Sequence, residues 1–104
     1  MLDDLFGKYL FRASRRGSFG KPREFWSDQE NYAFAVLGLD AHVPRRRARI
    51  LTGSAVLKMK GSPSKRAIAL GQRMGADILQ WESWDYKGHE YVVLNPASIR
   101  IEEP

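Results

Sequence analysis

The sequence predicts a single α+β domain, with mixed or antiparallel sheets and two main helices. Its 104 residues match one domain, since domains commonly hold about 100 to 150 residues. Short runs of β-branched and aromatic residues alternate with clusters of Gly, Pro and Ser, which indicates strands separated by turns. Two segments combine a capping residue with apolar residues at helical spacing. We therefore expect the order strand, helix, strands, helix, strands in one domain over residues 1–104.

The first strand is predicted at residues 8–13, KYLFRA, where aromatic and aliphatic residues follow one another without a turn residue. The next ten residues contain Gly17, Gly20 and Pro22 together with four basic side chains. This composition predicts a flexible basic loop between the first strand and the first helix.

The first helix is predicted by a capping-box pattern, because Ser27 is followed three residues later by Glu30. Gly38 is typical of a residue that ends a helix. We therefore expect a helix that begins at Ser27 and ends at Gly38. Its expected apolar face consists of Tyr32, Ala33, Val36 and Leu37.

The middle of the chain predicts strands and then a second helix. Residues 46–60 fit two short strands around a turn at 52–54, although a single interrupted ribbon fits the same residues. The second helix is expected to begin at Ser62 or Ser64 and to run to Gly75. Proline is well suited to the first turn of a helix, so Pro63 agrees with this start.

Three closing strands are predicted at residues 78–81, 90–94 and 98–101. Residues 91–94, YVVL, carry no charged or strongly polar side chain, so this strand is expected to be buried on both faces. Glu90 begins the strand. We expect its carboxylate at the edge of the sheet, where it can serve a cleft.

The net charge of +5 is unevenly distributed, because 12 of the 17 Lys and Arg residues lie among the first 60 residues. A dense basic run follows Pro44 and consists of Arg45, Arg46, Arg47 and Arg49. We expect this run to be exposed. It either binds the phosphates of a nucleic acid or dinucleotide, or an acidic protein, or it only keeps the surface solvated. No aromatic residue is interleaved in the run for base stacking.

The composition argues against several classes of protein. The absence of cysteine excludes disulfides, thiolate nucleophiles and cysteine zinc sites, and with two histidines no metal centre is expected. The longest apolar runs fall far below the roughly 18 residues of a membrane-spanning helix. The first residues, MLDD, lack the basic and apolar regions of a secretory signal. We therefore expect a cytoplasmic protein with no membrane partner.

Four short pieces, FRA, FWSDQENYA, GAD and EYVVLNPASI, follow one another along the chain. Over residues 8–101 they resemble the ADP-ribosyltransferase fold, in particular its small versions in phage, plasmid and effector proteins. The resemblance implies NAD as the cofactor. It also implies a mono-ADP-ribosyltransferase that acts as a toxin, an effector or a phage- or plasmid-borne modifier on a protein or nucleic-acid acceptor.

The resemblance also assigns roles to individual residues. Glu90 is the implied catalytic residue, because a carboxylate beside the ribose stabilises an oxocarbenium-like transition state. Arg12 is implied to clamp a phosphate or the ribose of NAD with its planar guanidinium. Ser27 is implied to supply a hydroxyl to the pocket, and Phe25 and Tyr32 to pack on nicotinamide. Helix capping and core packing are the structural alternatives for the last three residues.

The chain departs from the family pattern two residues before Glu90. Many protein-modifying members place Glu or Gln there to handle the acceptor, whereas this chain has Gly88. Glu82 and Asp85 are nearby carboxylates in a loop that is rich in aromatic residues, which favours a contact surface or packing across the cleft. His89 is expected on the opposite face of the strand from Glu90.

Two other functions fit the same sequence. The first is a non-catalytic binding module on the same fold, which uses the Arg-rich segment 45–49 to hold nucleic acid or an acidic protein. The second is a relative of the RNA 2'-phosphotransferases, which share the fold and the use of NAD. That activity needs His and several Arg in the cleft, and His42 and His89 form no recognisable arrangement for it.

Overall fold

The computed structural model describes residues 2–3, 7–36 and 43–102. Within these ranges the chain forms one curled eight-stranded sheet and one α-helix. The helix α1 spans Lys65–Arg73. The strands are β1 Leu2–Asp3, β2 Tyr9–Ala13, β3 Glu24–Ser27, β4 Arg45–Ile50, β5 Val56–Lys58, β6 Ile78–Glu82, β7 His89–Val93 and β8 Ile99–Glu102. A π-helical turn at Tyr32–Val36 and a 3-10 turn at Pro96–Ser98 complete the described elements.

The sheet is mixed, in agreement with the predicted α+β class. Its strand order is β1-β5-β6-β7-β3-β2-β4-β8. Strands β5 and β6 are parallel and are connected through α1, whereas the other described pairs are antiparallel. Parallel neighbours need such a crossover, because a tight hairpin reverses the chain direction and can therefore join only antiparallel strands. The predicted strands at 46–60 are confirmed as β4 and β5, which lie in different halves of the sheet.

The second predicted helix is confirmed as α1. Ser64 is its N-cap, since the Ser64 hydroxyl accepts a hydrogen bond from the Ala67 N–H at 3.1 Å. Gly71 lets the helix lie close to the sheet, because a Cβ at this position would come within 2.9 Å of a methyl group of Leu79. Gly75 adopts a positive φ of 79° just after the helix, as is common for a residue that follows a helix end.

The first predicted helix is wrong over its first residues. Ser27 ends strand β3, and its hydroxyl accepts from the Gln29 N–H at 3.0 Å instead of forming a capping box with Glu30. The described helical residues here are Glu30, Asn31 and the π-helical turn Tyr32–Val36, and the predicted end at Gly38 lies outside the described residues. Within the described residues the fold therefore has one main helix, and the prediction of two is not met.

Apolar side chains cover both faces of the central strands. One cluster includes Leu10, Trp26, Ile78, Tyr91 and Val93, and the other packs Ile68 of α1 against Leu79, Trp81 and Val92. The prediction that residues 91–94 are buried on both faces is confirmed. Glu90 lies near the start of β7, as the second residue of that strand, and β7 itself is a central strand between β3 and β6.

Within the described ranges, no helix combines the length and apolar character needed to cross a membrane.

Candidate functional site

Glu90 lies in a row of side chains that runs across three neighbouring strands. It is directly opposite Ser27 in the pairing of β7 with β3, and Ser27 is opposite Phe11 in the pairing of β3 with β2. Residues directly opposite in antiparallel strands point to the same face, with Cβ atoms about 4.5–5.5 Å apart. Phe11, Ser27 and Glu90 are therefore neighbours on one face of the sheet.

Strands β2 and β3 separate next to this row. Continued antiparallel pairing would place Arg12 opposite Trp26, but Phe11 and Ser27 are the register pair that the two strands share. The Arg12 Nη1 instead donates to the carbonyl of Phe25 at 3.0 Å, and its Nε donates to the carbonyl of Ser18 at 3.0 Å. The guanidinium of Arg12 therefore lies in the gap where the two strands diverge.

A pocket of about 120 Å³ lies at this gap. We call it the Glu90 pocket, and its wall includes Phe11, Arg12, Phe25, Ser27, Tyr32 and Glu90. The structure thus brings together all five residues predicted for catalysis and NAD binding. Sites for whole small molecules commonly measure about 300–1,000 Å³. The Glu90 pocket is therefore suited to a single ring or sugar, with the remainder of a larger ligand outside it.

The carboxylate of Glu90 is half-buried and is held on one side. The Ser83 hydroxyl donates to Glu90 Oε1 at 3.1 Å, and Ser83 is the first residue of the loop between β6 and β7. Within the described part of the chain, Oε2 of Glu90 has no hydrogen-bond partner. One oxygen is thus oriented by the protein, and the other is available to a ligand.

Tyr86 extends the site although the sequence patterns did not single it out as a site residue. Its hydroxyl donates to the carbonyl of His89 at 3.0 Å and lies 2.5 Å from the Ser27 Oγ. The Ser27 and Tyr86 hydroxyls thus share one short hydrogen bond. The unusual aromatic content of the loop was the one sequence signal for Tyr86. Its partner Ser27 is distant in the sequence, so the contact between them could not be predicted from the loop.

The two tyrosines beside the pocket stack on each other, with ring centroids 4.2 Å apart. Burial, followed by the hydrogen bond to Asp85 and the charge of Glu90, raises the pKa of Tyr32. Burial raises the pKa of Tyr86 to about 12, with a smaller contribution from the negative charge of Glu90. Both phenols are therefore neutral hydrogen-bonding groups at physiological pH.

Glu24 is a second residue that the sequence analysis missed. Its buried carboxylate accepts from the backbone N–H of Gly20 at 2.7 Å and of Lys21 at 3.1 Å, and from the Ser18 hydroxyl. It also lies 3.8 Å from Arg12 Nη2. Glu24 thus anchors the basic loop before β3 and fixes the guanidinium that lies in the gap.

Asp28 lies at the end of β3, where β7 begins. Its carboxylate accepts from the His89 backbone N–H at 3.0 Å and the Tyr91 hydroxyl at 3.3 Å, and lies 3.6 Å from Lys8 Nζ. Burial alone would raise its pKa, but the hydrogen bonds and the positive charge of Lys8 outweigh burial and lower it. The His89 ring lies 3.3 Å from Asp28 and lines different pockets from Glu90. This agrees with the prediction that His89 and Glu90 point to opposite faces of the strand.

The arginine run lies on strand β4, whereas the sequence analysis treated it as an exposed run with no aromatic residue for stacking. The guanidinium carbons of Arg47 and Arg49 lie 4.9 and 4.8 Å from the ring centroid of Tyr9, and Arg49 Nη2 also donates to the Tyr9 hydroxyl. Arg45 lies over Phe34 at 5.8 Å, whereas Arg46 lies on the other face of the sheet over Phe19 at 5.5 Å. The aromatic partners come from distant segments, so inspection of the run alone could not find them.

No group of three or more His, Asp or Glu residues in the described ranges is arranged to hold a metal ion.

Comparison of the chain with protein-family models, with curated proteins and with solved structures finds no match.

Proposed function

We propose that the protein is an NAD-dependent mono-ADP-ribosyltransferase and that the Glu90 pocket binds the nicotinamide-ribose end of NAD. One observation carries the proposal. Arg12, Ser27 and Glu90 are far apart in the sequence, yet they line one pocket together with the rings of Phe25 and Tyr32. Those five residues are the ones that the resemblance to the ADP-ribosyltransferase fold singles out.

The reaction requires a carboxylate beside a developing positive charge. The bond between C1' of the ribose and the nicotinamide nitrogen breaks, and nicotinamide leaves with the bonding electrons. Glu90 stabilises the oxocarbenium-like sugar, since its unpartnered Oε2 is free to accept from a ribose hydroxyl. A lone pair of the acceptor then forms the new bond to C1', and the proton of the acceptor passes to solvent.

The aromatic wall of the pocket suits a planar ring. Phe25 is 50% exposed, although it packs edge-on against Trp81 with ring centroids 6.0 Å apart. An exposed aromatic ring at the rim of a pocket is available for contact with nicotinamide. Tyr32 adds a second ring on the same wall.

Arg12 serves chiefly as a positioning residue in this arrangement. Its two described hydrogen bonds hold the carbonyls of Ser18 and Phe25, and Glu24 balances its charge. A guanidinium has five N–H groups, so donors remain for a phosphate or ribose oxygen of NAD. Arg12 therefore fixes the separation of β2 and β3 that forms the pocket and can also contact the ligand.

The first test measures release of nicotinamide from NAD and transfer of labelled ADP-ribose to a cell lysate. We expect the variant Glu90→Gln to release nicotinamide at least about 100-fold more slowly than the wild type, because loss of transition-state stabilisation has effects of this size. The matched control is Glu82→Gln, which removes an exposed carboxylate from the neighbouring strand outside the pocket. Equal activity of the two variants, or no release by the wild-type protein, would refute the proposal.

The second candidate is a non-catalytic binding module, which the stacked arginines of β4 favour. That function predicts ligand binding that depends on salt and on the β4 arginines, with no effect of Glu90→Gln.

A further inference from the structure

One face of strands β2, β4 and β8 carries a set of stacked cations. Alternate residues of β4 point to the same face, and Tyr9 lies opposite Arg49, which in turn lies opposite Arg100 of β8. We call this surface the arginine face. It consists of Tyr9, Phe34, Arg45, Arg47, Arg49 and Arg100.

Among the described residues, Arg47, Arg49 and Arg100 outnumber the one carboxylate, Glu102, that pairs with this part of the arginine face. Glu102 contacts both Arg47, at 3.1 Å, and Arg49, at 3.6 Å, so one carboxylate serves two guanidiniums. The side chains of Arg47 and Arg49 remain 47% and 43% exposed. Arg100 is also exposed. The surface therefore attracts anions, and the guanidiniums of Arg45, Arg47 and Arg49 lie over aromatic rings.

A pocket of about 210 Å³ opens on this face. Its wall includes Phe11, Phe34, Glu30 and Arg47, and the rings of Phe11 and Phe34 meet edge to face at 5.7 Å. Aromatic rings and a guanidinium offer stacking surfaces for a planar base, and Glu30 offers an acceptor for its amino group. Phe11 also lines the Glu90 pocket, so the two pockets are adjacent.

We propose that the arginine face binds single-stranded nucleic acid, with one base in the pocket that Phe11, Phe34, Glu30 and Arg47 line. Guanidiniums and aromatic rings are the means by which proteins hold unpaired bases, whereas the carboxylates of an acidic peptide offer charge but no aromatic base to fill the pocket. Binding of the nucleic acid to this face does not depend on the proposed function. A role of the bound nucleic acid as the acceptor of ADP-ribose does depend on it.

The test measures the anisotropy of a short labelled single-stranded oligonucleotide, with no NAD present. We expect the double variant Arg47→Gln with Arg49→Gln to raise the Kd at least about tenfold. Binding should also become less dependent on salt. The plot of log association constant against log salt concentration should become less steep by about 1.4, at about 0.7 for each lost phosphate contact. The control Arg66→Gln with Arg73→Gln removes the same charge from exposed positions of α1, and its Kd should change less than about twofold.

A second variant separates stacking from charge. Phe34→Leu keeps every charge, so we expect it to weaken binding at least about fivefold with an unchanged salt slope. Thermal unfolding of each variant checks that the domain is still folded. Equal losses for the two double variants would mean that net charge alone attracts the oligonucleotide, and would overturn the proposal.

Competition identifies the ligand that the face serves. The proposal expects unlabelled single strand to displace the probe far better than polyglutamate of equal charge or NAD. Effective displacement by polyglutamate would assign the face to an acidic protein, and effective displacement by NAD would assign it to the dinucleotide. Because the anisotropy measurements on the wild type and the variants contain no NAD, failure of the Glu90→Gln test leaves their outcome unchanged.

Discussion

At Ser27, local propensity and long-range pairing favour different structures. A serine cap stabilises a helix by about 1 kcal/mol. Strand β3, by contrast, pairs four residues with β7 and buries Trp26, and burial of one large apolar side chain contributes about 1.5–3 kcal/mol. The strand therefore prevails. The residues around Ser27 could not predict this, because β7 begins only at His89.

The contact between Ser27 and Tyr86 gives the first residue-scale prediction. We expect Ser27→Ala and Tyr86→Phe each to lower the free energy of unfolding by about 1–2 kcal/mol, since each removes the hydrogen bond between the two hydroxyls and a further bond to the backbone. The double variant should lose less than the sum of the two, because the hydroxyls bond to each other. Urea denaturation of the four proteins gives a coupling energy, expected to be at least about 0.5 kcal/mol.

Ser62→Ala is the control for this cycle, because Ser62 is exposed and its hydroxyl is not a partner of Tyr86 in the described hydrogen bonds. Its combination with Tyr86→Phe should be additive. Strict additivity of Ser27→Ala with Tyr86→Phe would show that the short contact between the hydroxyls contributes nothing to stability.

At the scale of elements, Asp28 joins three of them. It accepts from the first residue of β7, follows the last residue of β3 and pairs with Lys8 just before β2. Strands β2, β3 and β7 form the wall of the Glu90 pocket. Asp28 joins them from the opposite face of the sheet and so holds the pocket in shape. The sequence showed a Ser-Asp pair beside aromatic residues, which is equally typical of a helix start.

The lowered pKa of Asp28 predicts how stability depends on pH. Its folded pKa lies below the ordinary value of 3.8, so the charged form stabilises the fold above that value, and the contribution is lost as the pH falls through the folded pKa. We expect Asp28→Asn to be less stable than the wild type at neutral pH. The difference between the two proteins should shrink below pH 3.8.

Urea denaturation across this pH range measures that difference, with Glu82→Gln as the control for loss of an exposed carboxylate. The control should be about as stable as the wild type at neutral pH. A constant gap between Asp28→Asn and the wild type would mean that the carboxylate stabilises the fold without regard to its charge.

Most elements could be predicted because their signals are local. Helix α1 has its serine cap, its apolar spacing and a terminal glycine within one short segment. An unbroken apolar run predicts β7. The face on which a side chain acts is not local. Arg45 and Arg46 are adjacent in sequence, yet one lies over Phe34 and the other over Phe19 on opposite sides of the sheet.

At the scale of the whole molecule, strand order decides which residues form a site. Strands β2, β3 and β7 are neighbours, so Arg12, Ser27 and Glu90 meet although they come from distant parts of the chain. Their residue types and order could be found in the sequence. The supporting residues Glu24 and Tyr86 could not, because a buried acid and a loop tyrosine carry no pattern that names their partners.

The whole domain should report binding of NAD through its thermal stability. A ligand that binds the native state alone adds about 1.4 kcal/mol at a concentration ten times its Kd, which raises the Tm of a domain of this size by about 5 °C or more. Phe25→Ala removes a ring from the rim of the Glu90 pocket and should reduce this shift at equal NAD. Trp84→Ala removes a ring that is 90% exposed and lies outside the pocket, so its shift should equal that of the wild type. Scanning fluorimetry with NAD provides the measurement, and an absent shift at millimolar NAD would count against NAD as the ligand of the pocket.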